Sequence, residues 1–254
     1  MRFYFSGVSG RSELEMLREA GAVRLLADPF DLRHLAGERR SVVLDTGAYK
    51  IWKSRESDAP LSVGLDEYER VATTEGPFDF VVSPDEIGDP ARTRDQWLEM
   101  RRRGLQRRVT LVPVWQFGAS DDLLRAYAEE SRLIGIGGLV PFMREKDEGM
   151  LRALKKVCAL YPGRVHIFGL AWMKALNHLF PLIASGDSSH WLVGARKGRV
   201  VTVNDRGRKP FLSEAHASRL GLQLTRRERC VESARAILRF TDVGEDRYEE
   251  RLAA

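Results

Sequence analysis

The chain has 254 residues, 43% hydrophobic and 30% charged, and 41 Lys+Arg against 36 Asp+Glu leave a net charge of +5. That length suits one large domain or two small ones, and the composition excludes a disordered, collagen-like or disulfide-scaffold chain. No apolar run reaches the roughly 18 residues that cross a bilayer, and two cysteines, Cys158 and Cys230, are too few for a four-ligand zinc site without histidines and fit a reducing compartment, so a cytoplasmic protein is expected.

The opening Met1-Arg-Phe-Tyr-Phe-Ser-Gly lacks the long apolar core of a signal peptide and reads as a strand entering a turn. Short β-branched and aromatic runs predict strands over 2–5, 22–26, 41–44, 78–82, 109–114, 133–136, 165–169 and 190–193. Amphipathic segments between them predict helices over 12–20, 65–73, 92–103, 121–132, 148–160 and 172–184. Ser120 before Asp121-Asp122, and Asp89 before Pro90, are N-cap signals, and Pro162-Gly163 is a stop signal. Eight strands, most of them separated by helical segments, predict an α/β fold, a (β/α)8 TIM-type barrel over 1–210. A doubly wound open sheet competes, but no Gly-x-Gly-x-x-Gly opens a helix after a strand. From Ser213 on the tail reads as helical, with Ala234, Ile237, Leu238 and Phe240 as its apolar stripe. Residues 211–254 are therefore expected to be a helical extension packed on the barrel.

Three basic clusters interrupt this pattern. They are Arg101, Arg102, Arg103, Arg107 and Arg108; then Arg196, Lys197, Arg199, Arg206, Arg208 and Lys209; then Arg226, Arg227 and Arg229. Each reads equally well as a solvated face or a polyanion grip. Arg196, Lys197 and Arg199 carry more weight because they follow a candidate site residue.

In a barrel, chemistry sits at the C-terminal ends of the strands. Those ends bring Asp45-Thr46-Gly47-Ala48-Tyr49, Ser83-Pro84-Asp85-Glu86, Trp115-Gln116-Phe117-Gly118, Gly137-Gly138-Leu139 and Gly186-Asp187-Ser188-Ser189-His190 to one rim. Two carboxylates facing one carbon suit glycosyl chemistry, one attacking while the other moves a proton. A further carboxylate and an amide can read the edge of a heterocycle, and a glycine pair lets a flat ligand approach the backbone. The bland alternatives are a turn or cap residue for Asp45, an Asx-type turn for Asp85 beside Pro84 and Gly88, and a turn before the last strand for Asp187. His166, in mid-strand, reads as a satisfied core residue, and His190 as a strand residue with a local hydrogen bond. No histidine-rich set suited to a metal is present.

The ordered set resembles the tRNA-guanine transglycosylase superfamily. Leu44-Asp45-Thr46-Gly47-Ala48-Tyr49 is similar to that family's (T/L)DSG(G/A)(F/Y) element, and Val82-Ser83-Pro84-Asp85-Glu86 sits where the family places a guanine-reading Asp. Val114-Trp115-Gln116-Phe117-Gly118 is similar to VQGG, and Ile136-Gly137-Gly138-Leu139 to IGGL. Gly186-Asp187-Ser188-Ser189-His190-Trp191 with Ala195-Arg196-Lys197-Gly198 resembles FDSASY…AKD. The resemblance implies Asp187 as nucleophile and Asp45 as general acid/base. It also implies that Asp85, Gln116, Gly137 and Gly138 hold the base and that Tyr49 or Trp115 stacks on it. The tRNA enzymes' Cys-x-Cys-x-x-Cys…His zinc site and long insertions have no counterpart here. The resemblance is therefore to the short branch that inserts 7-deazaguanine bases into DNA, and it implies DNA, the deazapurine base and partner proteins of a DNA-modification system as partners, and no cofactor, metal or membrane. The same chemistry on tRNA or a free nucleoside, a hydrolytic glycosidase, and a non-catalytic nucleic-acid-binding barrel are the alternatives. The reading requires Asp45 and Asp187 to meet across one sugar.

Overall fold

The structure, a computed structural model, describes residues 1–35, 41–204 and 210–252, the side chains of 141, 144 and 243–252 excepted. Arg206, Arg208 and Lys209 of the second basic cluster lie outside these residues. The chain is an α/β protein of the (β/α)8 barrel class with a long C-terminal helix. Its elements run β1 (Arg2–Phe5), α1 (Arg11–Ala20), β2 (Arg24–Ala27), β3 (Ser41–Leu44), α2 (Ala48–Ser54), α3 (Leu65–Thr74), β4 (Phe80–Val82) and α4 (Pro90–Arg102). There follow β5 (Leu111–Val112), β6 (Val114–Gln116), α5 (Asp121–Glu130), β7 (Ile134–Gly137), α6 (Val140–Glu145), α7 (Glu148–Leu160), β8 (Val165–Ile167) and α8 (Met173–Leu179). Last come β9 (Ser185–Ser188), α9 (His190–Arg196), β10 (Arg199–Asn204), β11 (Phe211–His216) and α10 (Arg226–Leu252).

The chain forms two compact units, Leu25–Leu139 and Met1–Arg24 with Val140–Ala254. In the first, β2, β3, β4 and β5 are neighbours in that order, with Leu44 beside Val81 and Val82 beside Val112 in parallel register. Pro113, which has no N–H to give a ladder, separates β5 from β6. The predicted strand over 109–114 is thus one strand position in two pieces, the first paired with β4 and the second with β7. Helix α3 buries Tyr68, Val71 and Ala72, and α4 buries Thr93, Trp97 and Met100, each set on one helical face. The predicted caps form. Asp89 accepts the Arg92 N–H at 2.9 Å with Pro90 opening α4, and the Ser120 hydroxyl accepts the Leu123 N–H at 3.3 Å.

In the second unit β1, β9 and β8 are parallel neighbours, with Tyr4 beside Asp187 and His166 beside Ser185. Two expectations are corrected here. Residues 190–193 are not a strand: His-Trp-Leu-Val opens α9, and the strand is the preceding Ser-Gly-Asp-Ser, all four residues buried. Small side chains suit that strand because its flank is crowded. A Cβ on Gly186 would stand 2.7 Å from Leu170 Cδ1. The tail is likewise not helical from Ser213: β10 and β11 form an antiparallel hairpin with Arg199 opposite His216, and the boundary expected at 210/211 falls between its two strands. Only α10 is the expected helix, burying Ala234, Ile237 and Phe240, with Phe240 and Phe180 rings 4.8 Å apart. No described helix is long and apolar enough to cross a membrane.

Candidate functional site

In the Leu25–Leu139 unit, Asp45, Asp85, Gln116, Gly137 and Gly138 all lie at the C-terminal ends of parallel strands. Register places Gln116 directly beside Gly137. Asp85 is the hub. Its Oδ1 accepts the Thr46 hydroxyl at 2.7 Å and its Oδ2 accepts the Gln116 amide at 2.8 Å. Burial is the main force on its carboxyl and raises its pKa to about 6; the hydrogen bonds from Thr46 and Gln116 pull the other way, and Glu86 adds to the rise. Gln116 is buried, and its Oε1 has no hydrogen-bond partner among the described residues. The glycines fit this hub closely. A Cβ on Gly137 would meet Val114 Cγ1 at 2.8 Å, and one on Gly138, whose φ is +73°, would meet Gln116 Oε1 at 2.7 Å. The four residues make a cradle with a carboxyl, a free amide oxygen and bare backbone, able to hold the polar edge of a flat heterocycle.

Asp45 follows β3, is partly exposed, and its Oδ2 accepts the Gly47 N–H at 3.3 Å. Thr46, which sequence reasoning passed over, supplies the Asp85 contact and also accepts the Ala48 N–H at 3.1 Å. Buried Tyr68 donates to Val82 O at 2.5 Å; burial, reinforced by Asp45 and Asp85, pushes its phenol well above its ordinary value. Of the two proposed stacking rings, Trp115 is corrected. It is buried and its indole N–H donates to Ser120 O at 3.2 Å, so it is packing rather than an open platform. Tyr49 is exposed and stacks on Trp52, centroids 6.1 Å apart. Lys50 next to it is held by Asp28 at 2.8 Å and by Asp31. Burial acts to lower the Lys50 pKa, but hydrogen bonds to these two acids raise it on balance, so this amine stays protonated and is no nucleophile. Asp28 and Asp31 lie about 20 positions before Lys50, so nothing local to that lysine announces the acid pair.

In the other unit Asp187 is the third residue of β9 and is buried. Its Oδ1 accepts the Gly169 N–H at 3.0 Å, and its backbone oxygen accepts the Leu170 N–H at 2.8 Å. Gly169 has φ +67° with open space around it, so backbone conformation rather than room asks for glycine there. His166 Nε2 lies 3.5 Å from Asp187 Oδ1, and its Nδ1 is 2.8 Å from Ser185 Oγ. His190, expected on a strand, opens α9 and bonds Glu214 at 2.6 Å. Glu214 also takes Arg199 at 3.2 Å. Arg199, expected to hold nucleic acid, is therefore partly committed to an internal ion pair, whereas Arg196 and Lys197 are exposed. Much of the 101–108 cluster is engaged in intrachain ion pairs while Arg102, Arg107 and Arg108 stay exposed: Arg101 pairs with Glu130, Arg102 and Arg103 with Glu99, and Arg108 with Glu69. In the third cluster Arg227 pairs with Glu19 at 2.8 Å. No group of three or more metal-holding side chains occurs among the described residues.

Fold and site together define a (β/α)8-type barrel with polar residues at its strand ends. The sequence matches no family profile and no curated protein. Among solved structures, one described as native KDPGal is similar over 97% of both chains, at 12% identity and a TM-score of 0.51. A tryptophan synthase from M. tuberculosis in its aminoacrylate-bound form is similar over 93% of both chains, at 14% identity and a TM-score of 0.46. At this identity the first likeness speaks for the barrel fold alone.

Proposed function

We propose that the protein is a base-exchange transglycosylase, a pentosyltransferase that replaces guanine in DNA by a 7-deazaguanine base. The observation that carries the reading is the Asp85–Gln116–Gly137–Gly138 cradle. Guanine's pyrimidine edge presents adjacent N–H donors, and the ionised Asp85 carboxylate and the buried Gln116 Oε1, which has no partner among the described residues, are acceptors that match them. The glycines let Val114 and the Gln116 amide pack directly against the backbone, which fixes that amide beside Asp85. The motif resemblance supplies the remaining roles.

A stacked guanine must first be flipped out, at a cost of a few kcal/mol. Arg196 and Lys197 hold flanking phosphates, and Tyr49 offers a ring for stacking. The Asp187 carboxylate attacks C1′ as the C1′–N9 bond breaks, forming a glycosyl ester, and Asp45 gives its proton to the departing guanine. Asp45 then removes the N9 proton of the incoming 7-deazaguanine, whose nitrogen displaces the Asp187 oxygen. Two inversions at C1′ retain the β configuration. The N–H of Gly169 holds the Asp187 carboxylate in place.

The test is incubation with radiolabelled guanine and, separately, duplex DNA, single-stranded DNA and tRNA. Label enters DNA, and Asp187→Asn abolishes incorporation while leaving DNA binding within about threefold. Label entering tRNA alone moves the substrate; an active Asp187→Asn protein removes the nucleophile.

A further inference from the structure

We infer that His166 is a positioning residue for Asp187, its Nε2 carrying a proton that faces the carboxylate. The inference rests on the proposed role of Asp187 for its catalytic meaning, though not for its geometry. His166 is fully buried at the centre of β8, and the parallel register sets it beside Ser185, two residues before Asp187 on β9. In a strand, residues two apart face the same side. Ser185 and Asp187 therefore both look toward the imidazole, one toward each nitrogen: Nδ1 is 2.8 Å from Ser185 Oγ, and Nε2 is 3.5 Å from Asp187 Oδ1.

The two contacts are not independent. A carboxylate oxygen accepts hydrogen bonds and donates none, so a bare Nε2 would set a lone pair against negative charge. A hydroxyl can donate or accept and rotates to suit either nitrogen state. Ser185 consequently adapts, Asp187 dictates, and the ring settles with Nε2–H toward the carboxylate and Ser185 Oγ–H donating to Nδ1. Phe168, 4.5 Å away, and Tyr4, 6.1 Å away, pack edge-on against the ring and keep it from turning. Asp187 Oδ1 is thus approached by the Gly169 N–H at 3.0 Å and by His166 from the neighbouring strand. At 3.5 Å the contact is an approach of charge and dipole rather than a formed hydrogen bond, and it orients the carboxylate through the ring's N–H. Sequence reasoning set His166 aside as a satisfied core residue, since nothing along the chain shows which residues share its face.

Two substitutions separate positioning from packing. A Gln amide nitrogen reaches the place of Nε2, and an Asn amide nitrogen the place of Nδ1. In the guanine-exchange assay His166→Gln keeps kcat within about tenfold, and His166→Asn lowers it about 100-fold, the scale of a misplaced reacting group, with KM for DNA unchanged. An Asn variant as active as the Gln variant would overturn the inference. The nitrogen shifts of histidine-labelled wild-type protein test it without activity: His166 Nε2 is expected to be protonated, and its resonance to move in Asp187→Asn. A bare Nε2 overturns the inference even if exchange is observed. A protein that exchanges no base but shows the protonated Nε2 refutes the transglycosylase reading and leaves the His166 assignment standing.

Discussion

Asp85→Asn is expected to make the protein more stable at pH 8 while destroying base recognition. The carboxyl's pKa rises from its ordinary 3.8 to about 6, with burial as the largest cause. The folded state therefore binds this proton more tightly than the unfolded chain does. Its favourable contribution is fully present below the unfolded value and is lost as pH rises through about 6. At about 1.4 kcal/mol per pH unit, keeping Asp85 ionised in the fold at pH 8 costs about 3 kcal/mol. Asn carries no charge, so it escapes that cost. Its oxygen still accepts the Thr46 hydroxyl, and Gln116 can rotate its amide to offer Oε1, which lacks a partner among the described residues, to the new amide nitrogen. Urea unfolding of both proteins at pH 4 and pH 8 gives the measurement. The variant gains about 3 kcal/mol at pH 8, or roughly 6–12 °C in Tm, and little at pH 4. An equal difference at both pH values, or a loss at pH 8, would refute the buried-carboxylate account. Guanine exchange should fall in the same variant, since Gln116 Oε1 is then taken by the new amide nitrogen, which cannot itself accept a base donor.

Gly138→Ala strains a φ of +73° and drives a Cβ to 2.7 Å from Gln116 Oε1, so thermal unfolding should show a loss of roughly 1–3 kcal/mol and base affinity should fall with it. Glu214→Gln removes the charge facing His190 and Arg199; burial acts to raise the Glu214 pKa, but these two partners lower it on balance, so the glutamate stabilises the fold above its ordinary 4.5 and ceases to do so as pH falls below that. A cost of roughly 1–3 kcal/mol at pH 7 that shrinks toward pH 3 is expected from urea titrations. Arg196→Ala/Lys197→Ala should lower the slope of log K for DNA against log salt by about 2 without altering Tm, about one per lost phosphate contact. Arg199→Ala should instead affect stability through Glu214, and a change in salt slope alone would contradict its internal pairing.

Much of the barrel is local in origin, and local signals were enough to read it. Alternating β-branched runs and amphipathic segments located α1, α3, α4, α5 and α7 to within a few residues, and the caps at Asp89 and Ser120 formed as their side-chain chemistry requires. The strand-end positions of Asp45, Asp85, Gln116 and Gly137 followed from the same alternation. What failed were segments whose conformation is set by their neighbours. Ser185–Ser188 has little strand propensity and is a strand through its parallel pairing with β1 and β8, while the strand-like His-Trp-Leu-Val is the first part of α9, with Trp191 buried and its indole N–H bonded to Ser6 O at 2.9 Å. The Arg199–His216 hairpin was hidden because Phe211-Leu-Ser-Glu-Ala-His carries no β-branched residue and is a strand through its pairing with β10. Sequence alone thus fixed which residue types stand at the strand ends. Only the folded chain decided that Asp85 is buried against Thr46 and Gln116, that Trp115 faces the packing, that Arg199 answers Glu214, and that His166 lies beside Asp187. Charge state and contact depend on what lies across space, and the order of residues along a chain does not contain that distance.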